Sequence, residues 1–404
     1  MKILEDIKPT EKEIRKTGDL IHSVLKKIRI PDAKLELGGS YAKNTFLTGN
    51  YDIDVFVKFP YTKYKNRDIS KILKDNIRQR KKIVHGSRDY VQINKGKYVF
   101  EFIPVLNIKD SSKAKNITDV SPMHTDWVKK HIKNADEVRL LKKFCRAANV
   151  YGAESYVKGF SGYVLEILIY HYKDFFNLIK NVSQWKIPVF IDPMKHYKTK
   201  SSAHSRLNKS KKTDLIIIDP TDKTRNAAAA TSNEKIEIFI QRCRDYIHNP
   251  SDDFFVEKSI SLIDLKTKAG INNLLILKVK TKKGKKDVMG NKILKVHGYL
   301  RTNIVKEGFK VIDSNWEFDK ISLIYFIVKD EDLSEHKIHY GPPVGNENHI
   351  EGFKRKWKGH EFHKSNGKYY INVRRKHRKI KPFLKELIKS PYVKSNVKRI
   401  SIKF

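Results

Sequence analysis

Asp52-Ile53-Asp54-Val55 opens an alternating run that continues to Phe59, and few folds accommodate such a run. Polar and apolar residues alternate with period two, so the segment reads as a strand with both carboxylates on one face. Neighbouring acids repel, and the arrangement becomes favourable once a cation sits between them. Eleven residues separate the Gly38-Gly39-Ser40 turn from Asp52. That turn follows an expected strand over 33–37 and precedes an expected short helix over 41–47, a place where backbone N–H groups can meet phosphate. A third acid, Glu101, is the only charge in the apolar run Tyr98–Val105. Buried alone it would be costly. Placed beside Asp52 and Asp54 it makes a three-carboxylate site for two divalent ions, most naturally Mg²⁺, which pairs a few carboxylates with phosphate oxygens. Each element alone is common. Together they point to metal-dependent chemistry on a phosphate ester.

The rest of the chain supplies the frame. Thr10-Glu11-Lys12-Glu13 has the form of a capping box ahead of a helix that ends by Pro31. Residues 68–84 read as a basic helix, and Tyr90–Ile93 and Tyr98–Val105 as two strands, so a small α/β unit closes near residue 115. Two helices are expected between 136 and 182, joined by a glycine-containing stretch over 149–162. A short strand over 215–218 and a helix from Asn233 follow. Beyond Pro250, strands are expected at 259–265, 273–280, 293–300 and 321–329, with a hairpin tip at Gly284. The expected class is α+β and multidomain: a catalytic head (1–135), a helical middle that completes a nucleotide pocket (136–255), and an α+β C-terminal region with a basic tail (256–404).

Charge names the kind of partner. The 404 residues carry 84 Lys and Arg against 45 Asp and Glu, a net +39, which suits a polyanion such as nucleic acid. Residues 351–404 alone hold +15 of that excess, interleaved with Phe353, Trp357, Phe362, Tyr369, Tyr370, Phe383 and Tyr392. That mixture suits backbone neutralisation and base stacking, although the aromatics equally suit a small core. A second basic run, Lys195–Lys212, reads as a mobile loop. Two cysteines, Cys145 and Cys243, make neither a disulfide framework nor a zinc ribbon. No apolar run approaches the roughly 18 residues of a membrane span, and the charged N-terminus does not read as a secretory signal. A cytoplasmic protein without membrane contact is expected.

The Gly39-Ser40…Asp52-Ile53-Asp54 pattern resembles the signature of the DNA polymerase β-type nucleotidyltransferases. Further blocks resemble one branch, the archaeal-type (class I) CCA-adding tRNA nucleotidyltransferases: GGSYAKNT (38–45), DEVRLLKKF (136–144), NVYGAE (149–154), GFSGYVLE (159–166), DPTDKTRNAAAA (219–230) and HYGPPVG (339–345). The resemblance spans about residues 35–345 in family order.

The resemblance implies a polymerase β-like head and the addition of C, C and A to the tRNA 3′ end from CTP and ATP, with Mg²⁺ and no nucleic-acid template. Asp52 and Asp54 match the family's metal-binding acids. Glu101 stands where the family usually has Asp, which keeps the charge on a longer arm; its implied role is metal ligand and general base. Gly39 and Ser40 fall on the triphosphate turn. Lys43 stands where some relatives carry Arg, which exchanges a bidentate fork for a point charge. His124, Lys142 and Tyr151 match positions that hold triphosphate and sugar, and Arg225 matches the residue that reads the incoming base. A homodimer is a further expectation. Two other readings remain open on sequence: a poly(A) polymerase or another RNA-tailing transferase, and a non-catalytic RNA-binding protein on a transferase scaffold.

Overall fold

Alternation organises the first sheet of the computed structural model, which describes residues 2–207, 213–257, 260–319, 321–345 and 347–403. The chain forms two compact units, Met1–Lys258 and Ser259–Phe404. Unit 1 begins with helices α1 (Lys2–Ile7) and α2 (Glu11–Leu25), strand β1 (Lys34–Leu37), the single turn α3 (Gly39–Ala42) and strand β2 (Asp52–Pro60). Helices α4 (Tyr61–Tyr64) and α5 (Ile69–Asn76) lead to β3 (Lys82–Val84), β4 (Tyr90–Lys95) and β5 (Tyr98–Asn107). The strands form one sheet in the order β1-β2-β5-β4-β3, with only β2 and β5 parallel. Ile53, Val55, Val57 and Phe59 of β2 and Phe100 and Phe102 of β5 are buried in its core. Each such side chain contributes roughly 1.5–3 kcal/mol of hydrophobic stabilisation. This fixes register, because a one-residue slip would move the acids into the core.

A second core in unit 1 is helical. Helices α6 (Ser121–His131), α7 (Ala135–Ala147), α8 (Gly162–Tyr172) and α9 (Phe175–Val182) are followed by β6 (Val189–Ile191), α10 (Lys200–Arg206), the hairpin β7 (Leu215–Asp219) and β8 (Asp222–Asn226), and α11 (Asn233–His248). Phe144, Phe160, Leu165, Phe175 and Phe239 centre this core, and Ile7 and Leu47 from the N-terminal part join it.

Unit 2 holds α12 (Leu262–Ala269), β9 (Asn273–Lys280), α13 (Lys286–Glu307), β10 (Val311–Glu317), β11 (Ser322–Val328), β12 (His336–Pro343), α14 (Glu347–Lys356), β13 (His363–Ser365), β14 (Lys368–Arg374), α15 (Ile380–Leu387), α16 (Pro391–Asn396) and β15 (Arg399–Lys403). Its sheets run β10-β11-β9-β15 and β12-β14-β13, both antiparallel. Among the described residues no helix is long and apolar enough to cross a membrane.

Several local expectations are corrected. Residues 293–300, expected as a strand, lie inside α13, because Ile293, Val296, Leu300 and Ile304 recur at helical spacing and are all fully buried. The expected hairpin at Gly284 is therefore a strand-to-helix turn. Residues 260–265 are likewise no strand, since Ser261 caps α12 by accepting from Asp264 N, and position 259 of that expected strand lies outside the described residues. Helix α5 stops at Asn76, and residues 82–84 are strand. The single turn α3 stands in place of a helix over 41–47. Three helices rather than two cover 136–182, since Lys173 turns to φ +81° and Asp174 caps a new helix.

Thr10 caps α2, but Glu13 does not complete the capping box: its carboxylate accepts from Thr48 Oγ1 (2.7 Å) and Gly49 N (3.3 Å), tying α2 to the loop before β2. Part of the expected basic loop is the helix α10, and its residues 208–212 lie outside the described residues.

The basic C-terminal segment is not a tail. Strand β15 pairs with β9 from Arg399↔Lys280 to Lys403↔Ile276, and Leu384, Val393 and Val397 are core residues of unit 2. Its aromatics largely pair within the unit: Phe353 with Phe362, Trp357 with His339, Phe383 with Phe309, and Tyr392 with Tyr299.

Candidate active site

The parallel pairing of β2 and β5 sets Asp54 directly opposite Glu101. Asp52 and Asp54 share one face, with buried Ile53 between them on the other. The turn before α3 folds back onto this edge. Gly38 N donates to Asp54 O (2.9 Å), and Gly39 has φ +59°, where a Cβ would lie 1.7 Å from Asp54 Oδ2. Only glycine fits between that turn and the carboxylate. Burial, and then the charges of Glu101 and Asp52, push the Asp54 carboxyl up to about 7, with Lys43 opposing them. Crowded acids with so little counter-charge suit a divalent cation. The ligand set is not fully drawn together: among the described residues no three His, Cys, Asp or Glu side chains stand in metal-binding arrangement. Glu101 instead accepts from Gln92 Nε2 at 2.6 Å, its cross-strand neighbour on β4. The Tyr90 hydroxyl, raised by burial and by Glu101, also bonds to it.

Helix α7 anchors the loop that follows α3. Arg139 donates to Phe46 O (2.9 Å) and to Asn44 Oδ1 (2.8 Å), and Lys142 Nζ donates to Thr45 O (2.9 Å) and Thr45 Oγ1 (3.0 Å). Both basic residues are almost fully buried. Their loop thereby brings Lys43 to Glu166 of α8, whose Oε2 accepts from Lys43 Nζ (2.8 Å) while Oε1 accepts from Thr45 Oγ1 (2.7 Å). Lys142 Nζ stands 3.6 Å from the same carboxylate. Burial pushes the Lys142 ammonium down to about 8, against the pull of Glu166. Burial would raise Glu166, but Lys43 and Lys142 hold it below the ordinary range. Two ammonium groups on one buried carboxylate leave an excess of positive charge suited to a phosphate chain.

A second buried carboxylate organises the neighbouring wall. Asp219, at the end of β7, is fully buried. Its Oδ1 accepts from Tyr163 OH (3.0 Å), Thr221 N (2.9 Å) and Thr221 Oγ1 (2.9 Å), and its Oδ2 accepts from Arg225 Nη1. His124 Nε2 lies 3.0 Å from Oδ2. The His124 ring stacks on Tyr163 at 4.0 Å, and Lys43 Nζ sits 5.4 Å from the centre of that same ring. Desolvation lowers His124, so it is neutral near pH 7.

Lys43, His124, Lys142 and Arg225 are thus joined through Glu166, Tyr163 and Asp219. Tyr151 reaches the group at Gly162, where an added Cβ would lie 3.3 Å from its hydroxyl and 3.5 Å from Lys142 Cε. Ser40 Oγ accepts from Asn50 Nδ2 (3.3 Å) on the turn beside Asp54.

Glu166 goes unread in the sequence, while Asp219 stands out there only as one of two acids, with Asp222, that could pair with Arg225, and Asp219 is the one that does. Glu166 is the lone charge in the apolar run Tyr163–Tyr170, the same signal that singled out Glu101. Asp219 ends an otherwise apolar strand just before Pro220. Tyr163, Gln92 and Tyr90 carried no signal of their own.

Comparisons with known proteins place this site in a family. Three domain descriptions match in order: a nucleotidyltransferase domain over 20–119, the second domain of tRNA nucleotidyltransferase over 136–256, and the C-terminal domain of CCA-adding enzyme over 272–400. A CCA-adding enzyme of Nanoarchaeum equitans is 36% identical over 76% of this chain and 76% of its own length. That of Methanosarcina barkeri is 30% identical over 96% of this chain and 88% of its own, and that of Sulfurisphaera tokodaii 31% over 84% and 80%. A cytoplasmic RNA terminal U-transferase of known structure is similar in fold, with a TM-score of 0.51 at 14% identity, over 64% of this chain and 97% of its own. With relatives of this identity along most of its length and all three domain descriptions in order, this chain belongs to the archaeal CCA-adding enzymes, a family of tRNA nucleotidyltransferases.

Proposed function

We propose that the chain adds C, C and A to the 3′ end of tRNA from CTP and ATP, without a nucleic-acid template, in one active site on unit 1. The observation that carries this mechanism is the pairing of Asp54 with Glu101 beside Asp52, with the Gly39 turn closed against them. Asp52, Asp54 and Glu101 would hold divalent ions, Mg²⁺ by ligand type, and a pair of them by the number of carboxylates. When bound, such ions supply charge neutralisation at the attacking hydroxyl and the leaving pyrophosphate.

The remaining roles belong to the chain's own residues. Lys43, Lys142 and His124 meet the triphosphate, with Ser40 on the turn that abuts Asp54. Tyr151 packs against the sugar, and Arg225 meets the base edge. The tRNA 3′-hydroxyl oxygen bonds to the α-phosphorus while the bond from that phosphorus to the bridging oxygen breaks, and pyrophosphate leaves with that oxygen. Glu101 takes the hydroxyl proton. Catalysis is then chiefly orientation and electrostatics. The net charge of +39 supports a tRNA substrate. A homodimer, carried from the family resemblance, is checked by light scattering.

Incubation of tRNA that lacks its CCA end with CTP, then with CTP and ATP, tests the reading. The expected ladder stops after two C additions with CTP alone and gains a single A with both nucleotides. An open-ended A tail without C would replace this reading with a poly(A) polymerase, and no extension would leave an RNA-binding protein.

A further inference from the structure

The assignment of Arg225 to the base edge leaves open what aims it. A guanidinium on a flexible stem discriminates between base edges only if its direction is fixed, since its five N–H groups can serve many acceptors. Arg225 lies on β8, with its side chain about a quarter exposed. The group that holds it is Asp219, three positions before Asp222, where the hairpin turns.

Asp219 is itself immobilised. Three donors, Tyr163 OH, Thr221 N and Thr221 Oγ1, converge on Oδ1 at 2.9–3.0 Å. With that oxygen pinned, the carboxylate cannot rotate, so Oδ2 points in one direction, where it meets Arg225 Nη1 beside His124 Nε2. One N–H of the guanidinium is thereby occupied and that end of the fork tethered, while no other hydrogen bond from it is made among the described residues, so its remaining donors can serve a ligand. Burial opposes the negative charge, but His124 and Arg225 hold Asp219 below the ordinary carboxylate range, so it stays ionised at any working pH.

We propose that Asp219 is a positioning residue for nucleotide choice: pinned by Tyr163 and Thr221, it fixes the Arg225 guanidinium so that its free donors match the edge shared by C and A. C and A each present an exocyclic amino donor beside a ring-nitrogen acceptor. U and G reverse that pattern and would meet donor against donor, a mismatch that a rigid donor set punishes and a mobile one tolerates. The proposal rests on the reading that Arg225 meets the base.

The test measures kcat/KM for CTP and for UTP on tRNA that lacks its CCA end. Wild type is compared with Arg225→Ala, Asp219→Asn and the double variant, and the same comparison is made for ATP and GTP on tRNA ending in CC. The ratio of the two values is the readout, because it does not change with the fraction of enzyme that is folded. Asp219→Asn is expected to lose about tenfold or more of the CTP-over-UTP preference, a loss of the size expected when a fixed polar match is relaxed. The double variant is expected to be no less selective than Arg225→Ala alone, since Asp219 acts through Arg225.

If Arg225→Ala keeps the wild-type ratio, the base is read elsewhere and the underlying assignment fails. If Arg225→Ala loses the ratio while Asp219→Asn keeps it, only the positioning role fails. Should Asp219→Asn not fold, Tyr163→Phe and Thr221→Val each remove one donor from Oδ1 and leave the carboxylate. Each is then expected to lower the ratio by a few-fold, and an unchanged ratio in both overturns the proposal.

Discussion

Asp54 lies opposite Glu101 in the parallel register of β2 and β5, and a Cβ on Gly39 would stand 1.7 Å from Asp54 Oδ2. The carboxylate is enclosed by like charge on one side and backbone on the other. Asp54→Ala is therefore expected to lower kcat by about a thousandfold or more, as loss of a central electrostatic group does, measured by single-nucleotide extension. Its stability should move the other way. The folded pKa of about 7 lies above the unfolded value of 3.8, so the native state binds the extra proton between them. Metal-free protein then loses stability as pH rises from about 4 to 7, and the penalty persists above that range. Asp54→Asn, without added divalent ion, should melt several degrees higher than wild type at pH 8 and no higher at pH 4. Equal melting at pH 8 would show that Asp54 carries no such strain.

Lys142 gives a second pH dependence, read in nucleotide binding and centred at higher pH. Its folded pKa, near 8, lies below the unfolded 10.5, so the positive charge proposed to meet the triphosphate disappears as pH rises through 8. Calorimetry of CTP binding without tRNA should show the dissociation constant rising by up to about tenfold from pH 7 to pH 9.5. Lys142→Arg stays charged, and its profile is expected to be flat over that range.

Glu166 is the counter-charge for both buried lysines. Glu166→Gln leaves two ammonium groups facing a neutral amide, and breaking a buried pair in this way costs about 3–5 kcal/mol. The variant should melt well below wild type. Saturating CTP or inorganic triphosphate should restore more of its melting temperature than either ligand adds to wild type, because the ligand supplies the missing negative charge. Equal ligand shifts in the two proteins would mean that the lysines do not face the phosphate chain.

The contrast between Glu101 and Arg225 explains how much of this site could be read in advance. Asp52, Asp54 and Glu101 stood out because strand alternation and the cost of a buried charge are both local properties. The head's β1, β2, β4 and β5 followed from the same periodicity. The partners that aim the site are a different matter. Lys43 meets Glu166 across 123 positions and Tyr163 meets Asp219 across 56, and no local pattern encodes such pairings. Helix α13 was misjudged for a simpler reason. Its Ile and Val residues favour strands in isolation, and only their spacing against the lysines shows the helical face.

The +15 of residues 351–404 is carried by folded elements, and this separates two experiments that a tail would have merged. Removing residues 391–404 takes away β15 and the core residues Val393 and Val397. That should abolish cooperative unfolding of unit 2, seen by calorimetry, rather than merely weaken tRNA binding. The charge is tested instead by replacing Lys356, Lys358, Lys364 and Lys368 with Ala, since these are exposed and absent from the core of unit 2. If each neutralises one tRNA phosphate, the slope of log KM for tRNA against log salt should fall by about 3. The melting temperature should stay within a degree or two, roughly the effect of surface substitutions, and kcat should be unchanged, since Asp52, Asp54 and Glu101, the acids proposed to carry the chemistry, lie in unit 1. An unchanged salt slope would assign these lysines to solvation alone and move the tRNA contact to other basic residues of the chain.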